Sequence, residues 1–430
     1  MPIANPIFMF EKLLDQFNNN IMGLRDYVDL IQPILDEYHK KEKEKHDEAF
    51  LPLALAQKIE IEDDPDKKEE LQEKLKEIFD GEIDVKVENL DNSEEEPDKR
   101  FSFSVRGDTS KIDKAFEFQV KSTTQRNLLY VNSLISLLSS AEWFYSQLLH
   151  FFYDKHPNSA GIKKKSLTLE ELKTFGSVSD AEKYLIDSKI ENLLRSGFSD
   201  WIDTLKTELK LGLGYITDFE DELIEIYHRR NLLVHNGGIV NSIYLSNVSK
   251  EYTDKVNIDD KLTVDEDYLE NAISKIHVIF SLIACELWKK AAPKDAERAG
   301  FLNNISYYYL KRAEWEIAHL PNIFLKRDAK LPTIPKTVAE LNCWLCLKRL
   351  EDPHKLISDI KDIDYTDKTI LLKLALHALR EEEDEFFMFL PKAIDNGDLK
   401  IEHLFDFPIL DEMRNTEKFE KILASRDARS

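Results

Sequence analysis

The residues best suited to chemistry lie together in the segment TDFEDELIEIYHRRNLLVHNGGIVN, residues 217–241. Within it, Arg230 is followed directly by Asn231 and then, after three residues, by His235. A guanidinium can grip phosphate oxygens bidentately. An imidazole can move a proton near neutral pH. An amide can orient either the ring or the phosphate. Gathered near one helix end, the three side chains suit phosphate chemistry. The neighbouring Arg229 and His228 are candidates to hold the same substrate, or else face solvent. A plainer reading is that these cations simply complement the negative end of a helix dipole. No metal-ligand set accompanies them, because Asp218, Glu220, Asp221 and Glu222 sit at the opposite end of the segment.

These residues need a helix to position them. Thr217 and Glu220 have capping-box spacing, and Asn236-Gly237-Gly238 supplies residues that tolerate left-handed geometry for a stop. The expectation is one helix about 19 residues long. At 100° per residue, Phe219, Leu223, Ile226, Tyr227 and Val234 fall on one apolar stripe with Arg230 in its middle. A charge on a buried stripe needs a partner or an anion. Asn231 and His235, four residues apart, share a neighbouring face on which their side chains can meet. Glu142 lies on an earlier apolar segment, Asn127 to Tyr153, that reads as a helix in the middle of a bundle. It is expected either to pair with an arginine or to orient the site residues.

The rest of the chain points to a helical scaffold. Its 430 residues include only 12 Gly and 14 Pro, fewer than a sandwich or barrel needs for its turns. With 59 Lys+Arg against 82 Asp+Glu, the formal charge is −23, so a general polyanion binder is excluded and any nucleic-acid contact must be local. Acidic residues outnumber basic ones two to one between positions 40 and 99, where DNSEEEPDK (91–99) reads as a mobile loop. The flanking segments Ile83–Val87 and Phe101–Val105 alternate with period two and are expected to form a small strand pair. Three cysteines make no disulfide framework, and Cys343-Trp-Leu-Cys346 on an apolar helix face reads as packing. Apolar runs such as Ile276 to Trp288 are too short to span a bilayer. With no signal-like start, the expectation is a cytoplasmic protein without membrane contact.

The segment RRNLLVHNGG resembles the Arg-x4-His motif of the HEPN superfamily, with Asn directly after the Arg. The resemblance covers roughly residues 115–295. It implies a predominantly all-α chain in three parts: an N-terminal helical region (1–114) with an acidic loop and strand pair, a HEPN-like bundle (115–295), and a C-terminal region (296–430). In this last part, paired amphipathic segments at 301–319, 337–350, 354–363, 367–380 and 384–396 are loosely similar to tetratricopeptide repeats. The resemblance also implies a metal-independent, cofactor-free endoribonuclease toxin or antiphage-defence effector acting on RNA such as tRNA. Arg230, Asn231 and His235 would be catalytic, and a homodimer would assemble a composite site. Arg229, His228 and Glu142 would help bind substrate, and a protein partner or trigger would act through the C-terminal helices. The alternative is a non-catalytic adaptor that uses the same bundle to self-associate.

Overall fold

The computed structural model describes residues 6–62, 64–79, 83–89, 101–107, 110–161 and 167–427. The chain is predominantly helical. The acidic stretch 91–99 lies outside the described residues. On either side of it, β1 (Ile83–Asn89) and β2 (Phe101–Gly107) pair antiparallel, with Lys86 opposite Ser104.

Contacts divide the chain into two compact units. The smaller comprises Gly23–Leu134 and Thr263–Leu269. In it, α1 (Pro6–Ile61) and α3 (Ser110–Lys155) are joined by an Arg126–Asp36 ion pair at 2.6 Å and a His39–Gln125 hydrogen bond at 2.9 Å. α2 (Pro65–Phe79) lies between them in sequence.

The larger unit comprises Met1–Met22, Ile135–Leu262 and Glu270–Ser430. Its core is aromatic. Phe17 stacks on Phe144 at 4.2 Å, Tyr145 on Trp201 at 4.6 Å, and Phe10 on Trp288 at 5.6 Å. Such large side chains give much of the apolar area that a core removes from water. The segment 135–153 of α3 turns Leu137, Leu138, Ala141, Phe144, Tyr145, Leu148 and Leu149 inward. That near-continuous burial explains why its sequence is apolar over so much of the helix circumference. α4 (Leu169–Phe175) opens on a true capping box from Thr168 to Glu171. α5 (Val178–Leu194) and α6 (Phe198–Thr207) follow, and Trp201 anchors α6 by donating its indole N–H to the Leu193 carbonyl at 2.8 Å.

After α7 (Glu220–Asn236) come the short α8 (Ser242–Asn247) and α9 (Lys250–Thr253), and then α10 (Glu266–Ala291). At 26 residues, α10 runs well beyond the apolar stretch that looked too short for a bilayer. It is long and apolar enough to cross a membrane by length and composition, but most of its apolar window is buried inside the protein. Of its polar interruptions, His277 hydrogen-bonds the Tyr309 hydroxyl at 2.9 Å.

The C-terminal helices differ from the sequence reading within 301–319 and after residue 396, where helices lie at Ile401–Asp406, Asp411–Arg414 and Glu417–Asp427. The segment 301–319 is not one helix but two, α11 (Glu297–Lys311) and α12 (Trp315–Arg327). Ala313 takes a left-handed φ of 58°, which breaks the helix there. α12 and α13 (Thr333–Leu350) pack on each other, as do α15 (Ile370–Arg380) and α16 (Glu383–Asp395), with α14 (Pro353–Ile360) between the pairs in sequence. A fully buried ion pair, Arg298–Asp328 at 2.8 Å, joins the start of α11 to the end of α12. Arg298 also donates to the Pro293 carbonyl at 2.9 Å. Cys343 and Cys346 are buried in α13 as free thiols, and burial pushes Cys343 up to about 12.

Candidate functional site

α7 holds the chemistry-bearing residues, and its two ends are built differently from each other. The expected capping box is absent. The helix starts at Glu220 with Phe219 in the cap position and no side-chain cap. Residues 213–219 instead form successive turns, with Phe219 N–H donating to the Ile216 carbonyl at 2.8 Å. Phe219 is buried, and the Glu220 carboxylate is drawn away to Lys206 at 3.0 Å. A buried aromatic anchor therefore fixes this end, in place of a hydroxyl cap.

The C-terminal end follows the glycine logic of the sequence. Gly237 is left-handed (φ 61°) and returns its N–H to the Leu232 carbonyl. Gly238 follows at φ 85°, where a Cβ would lie 2.5 Å from the Leu262 carbonyl oxygen. The backbone around it is laced to the strand-like segment at 259–262: Leu262 N–H donates to Gly238 O at 2.9 Å and Val240 N–H to Asp260 O at 2.8 Å. This stretch folds over the helix, burying Leu232 with Val240, Tyr244 and Val248. Val234, by contrast, is exposed although its phase puts it on the apolar stripe, because the last turn extends past the core.

Arg230 is nearly buried and has two partners. Its Nη2 donates to Glu142 Oε1 at 2.5 Å, and its Nη1 to Asn231 Oδ1 at 2.9 Å. The Nε–H is buried without a partner. A guanidinium has five N–H donors, so these two bonds leave donors for an anion. Burial lifts the Glu142 carboxyl above its usual range, and this outweighs the opposing pull of Arg230.

Asn231 and His235 do not bond to each other, against expectation, because the Asn231 oxygen is taken by Arg230. His235 is exposed on the last turn of α7. Arg229 turns inward: its Nε donates to Glu225 Oε1 at 2.6 Å, and the Tyr244 hydroxyl donates to the same oxygen at 2.7 Å. Glu225 is only 1% exposed, so Arg229 neutralises an interior carboxylate. His228 is half-buried, and burial lowers its pKa, opposed by Glu225.

One contributor was missed by sequence reasoning. Tyr227 was assigned to the apolar stripe, and it is buried as such. Its hydroxyl, however, donates to the Ser196 carbonyl at 3.3 Å, and the Arg230 guanidinium lies 5.9 Å from its ring centroid. The signal was present: a Tyr three and four residues before an Arg-Asn pair shares their face.

Arg230, Asn231 and Glu142 thus form one connected group, with His235 one turn beyond, Arg229 diverted and His228 to the side. Among the described residues, no group of three or more His, Cys, Asp and Glu side chains is placed to hold a metal ion. The arrangement can present a guanidinium to an anion beside an exposed imidazole. No family model, curated protein or solved structure matches this chain.

Proposed function

We propose that this chain is a metal-independent endoribonuclease of HEPN type, acting as a toxin or defence effector on RNA such as tRNA. The observation that carries the reading is Arg230, oriented by Glu142 and Asn231, on the same helix end as the exposed His235. In this reading one His235 takes the proton from a ribose 2′-OH. The 2′-oxygen attacks phosphorus, the bond to the 5′-oxygen breaks, and that oxygen leaves with a proton from an imidazolium. The products carry 2′,3′-cyclic phosphate and 5′-OH ends. Arg230 stabilises the charge that develops on the phosphorane, where fixed donors contribute most. One helix end offers a single His235, so a second copy of the chain supplies the other imidazole in a composite site.

The test incubates purified wild-type and His235→Ala protein with total RNA and tRNA in EDTA, with and without cell lysate to supply an activator. Cyclic-phosphate ends from wild type alone support the reading. Intact RNA in every lane sinks it.

A second reading is favoured by one observation: Arg230 already has a carboxylate partner within its own chain. On that reading the bundle is a non-catalytic adaptor that self-associates. Overexpression in cells separates the two, since only a nuclease is toxic in a manner relieved by Arg230→Ala or His235→Ala.

A further inference from the structure

The C-terminal helices enclose a pocket that the ribonuclease reading leaves unused. Its volume is about 330 Å³, at the small end of the roughly 300–1,000 Å³ typical of small-molecule sites. α11, α13 and α15 line it, together with the segment 399–410. The helices between them in sequence, α12 and α14, contribute nothing to it. One helix of each successive pair thus faces a shared concavity, as in stacked helix pairs that build a binding surface. Tyr307 closes one side. Its hydroxyl donates to the Asp406 carbonyl at 3.3 Å, and its ring meets Phe407 edge-to-face at 5.6 Å.

The wall is apolar except for that tyrosine and three asparagines, Asn303, Asn304 and Asn342. None of its residues is charged, in a chain of which 33% are Asp, Glu, Lys or Arg. An ion entering here would lose hydration and find no counter-charge. A peptide segment would bring a backbone donor and acceptor with almost every residue, more than three amides can pair.

Asn342 is held in one orientation from behind. Asn322 is 0% exposed, and its NH2 donates to Ser306 Oγ at 2.5 Å and to the Ala318 carbonyl at 2.7 Å. Both of its N–H bonds are spent, so only Asn322 Oδ1 can meet Asn342, which donates to it at 3.4 Å. Asn342 thereby keeps its own Oδ1 as a free acceptor on the pocket wall. A leucine would complete the apolar surface at this position. The sequence instead places an amide there and orients it through two fully buried polar residues, Asn322 and Ser306.

We infer that this pocket binds a small, uncharged and mostly apolar molecule that donates one N–H or O–H to Asn342 Oδ1. The site is separate from Arg230 and His235 and does not depend on the ribonuclease reading.

The experiment titrates the full-length protein with N-phenylnaphthylamine, a neutral fluorescent probe with a single N–H. Its sulfonate, anilinonaphthalenesulfonate, has the same rings and a negative charge. Wild type should bind the neutral probe one to one and the sulfonate at least about ten-fold more weakly. Ala375→Phe, which fills the pocket from α15, should abolish binding. Asn342→Leu should weaken it about ten-fold, as one lost hydrogen bond predicts. Thermal unfolding checks that both variants are folded, and either one suffices if the other is not. The inference is overturned if wild type does not bind the neutral probe, binds the sulfonate equally well, or binds through a site that neither variant alters. Probe binding that fades as protein concentration rises also overturns it, since a second copy of the chain then covers this face.

Discussion

Arg230 and Glu142 meet at 2.5 Å across 88 residues of sequence, so the guanidinium that is suited to a phosphate already holds a carboxylate. The pair brings the motif helix against the central helix α3. It also sets a competition, because Glu142 Oε1 occupies a place that a phosphate oxygen would take. Glu142→Gln removes the charge and keeps the shape. RNA affinity should rise about three-fold, on the scale of a partly exposed ion pair. Fluorescence anisotropy at fixed salt checks this. Weaker binding would show instead that the carboxylate is needed to hold Arg230 in position.

Arg229 and Arg230 are adjacent but should respond to mutation in opposite ways. Arg229→Ala strands the Glu225 carboxylate, which is 1% exposed, and should cost about 2–4 kcal/mol of stability. Tyr244→Phe, which takes one hydrogen bond from the same carboxylate, should cost about 1 kcal/mol. Urea unfolding measures both. Loss of activity in Arg229→Ala would then trace to unfolding, whereas Tyr244→Phe should keep its activity.

Two half-buried histidines make stability depend on pH. Burial lowers the pKa of His228 and of His319 from the ordinary value of 6.5. Above 6.5 both are neutral whether the chain is folded or unfolded, and their contribution is complete. As pH falls below 6.5 the unfolded chain takes up protons that the folded chain refuses, so stability declines until the folded pKa values are passed. Chemical denaturation between pH 7.5 and 5 should show this decline, with a shallower slope in His228→Asn and His319→Gln. An unchanged slope would mean that neither burial persists in solution.

The turn that ends α7 should distinguish its two glycines. At Gly237 an added Cβ meets nothing within 4 Å, so only the left-handed backbone is strained. Gly237→Ala should cost about 1 kcal/mol. At Gly238 the same Cβ would lie 2.5 Å from the carbonyl oxygen of Leu262, a residue whose own N–H is bonded to the Gly238 carbonyl. Gly238→Ala should cost at least about 2 kcal/mol. Equal thermal shifts for the two variants would contradict this geometry.

Much of the fold was legible because its determinants are local. Low glycine and proline content, apolar spacing in 127–153 and the double glycine at 237–238 each act through helix geometry and backbone sterics, which short windows of sequence reveal. The Thr217 capping box was a false signal, since burial of Phe219 decided where α7 begins. Val234 likewise has the right phase, but no core reaches it. For the site, Arg230 on a buried stripe announced its need for a partner, and Glu142 is that partner. The four-residue spacing of Glu225 and Arg229 was legible, but the burial of that pair was not, because it depends on Tyr244 reaching Glu225 across a loop. Nor could spacing show that Asn231 would turn to Arg230 and away from His235. That choice is made by tertiary hydrogen bonds, which are invisible at the level of helical phase.

The ion pair between Arg298 and Asp328 leaves both side chains with no exposed surface. Neither can be replaced alone without leaving a bare charge in the interior. A drift of sequence at this point must therefore change both residues together or neither. Two apolar residues could fill the space, but every single-step route to them passes through a damaged intermediate. Deep mutational scanning should find the two positions strongly epistatic and closed to separate variation, a historical lock on the junction where the C-terminal helices begin.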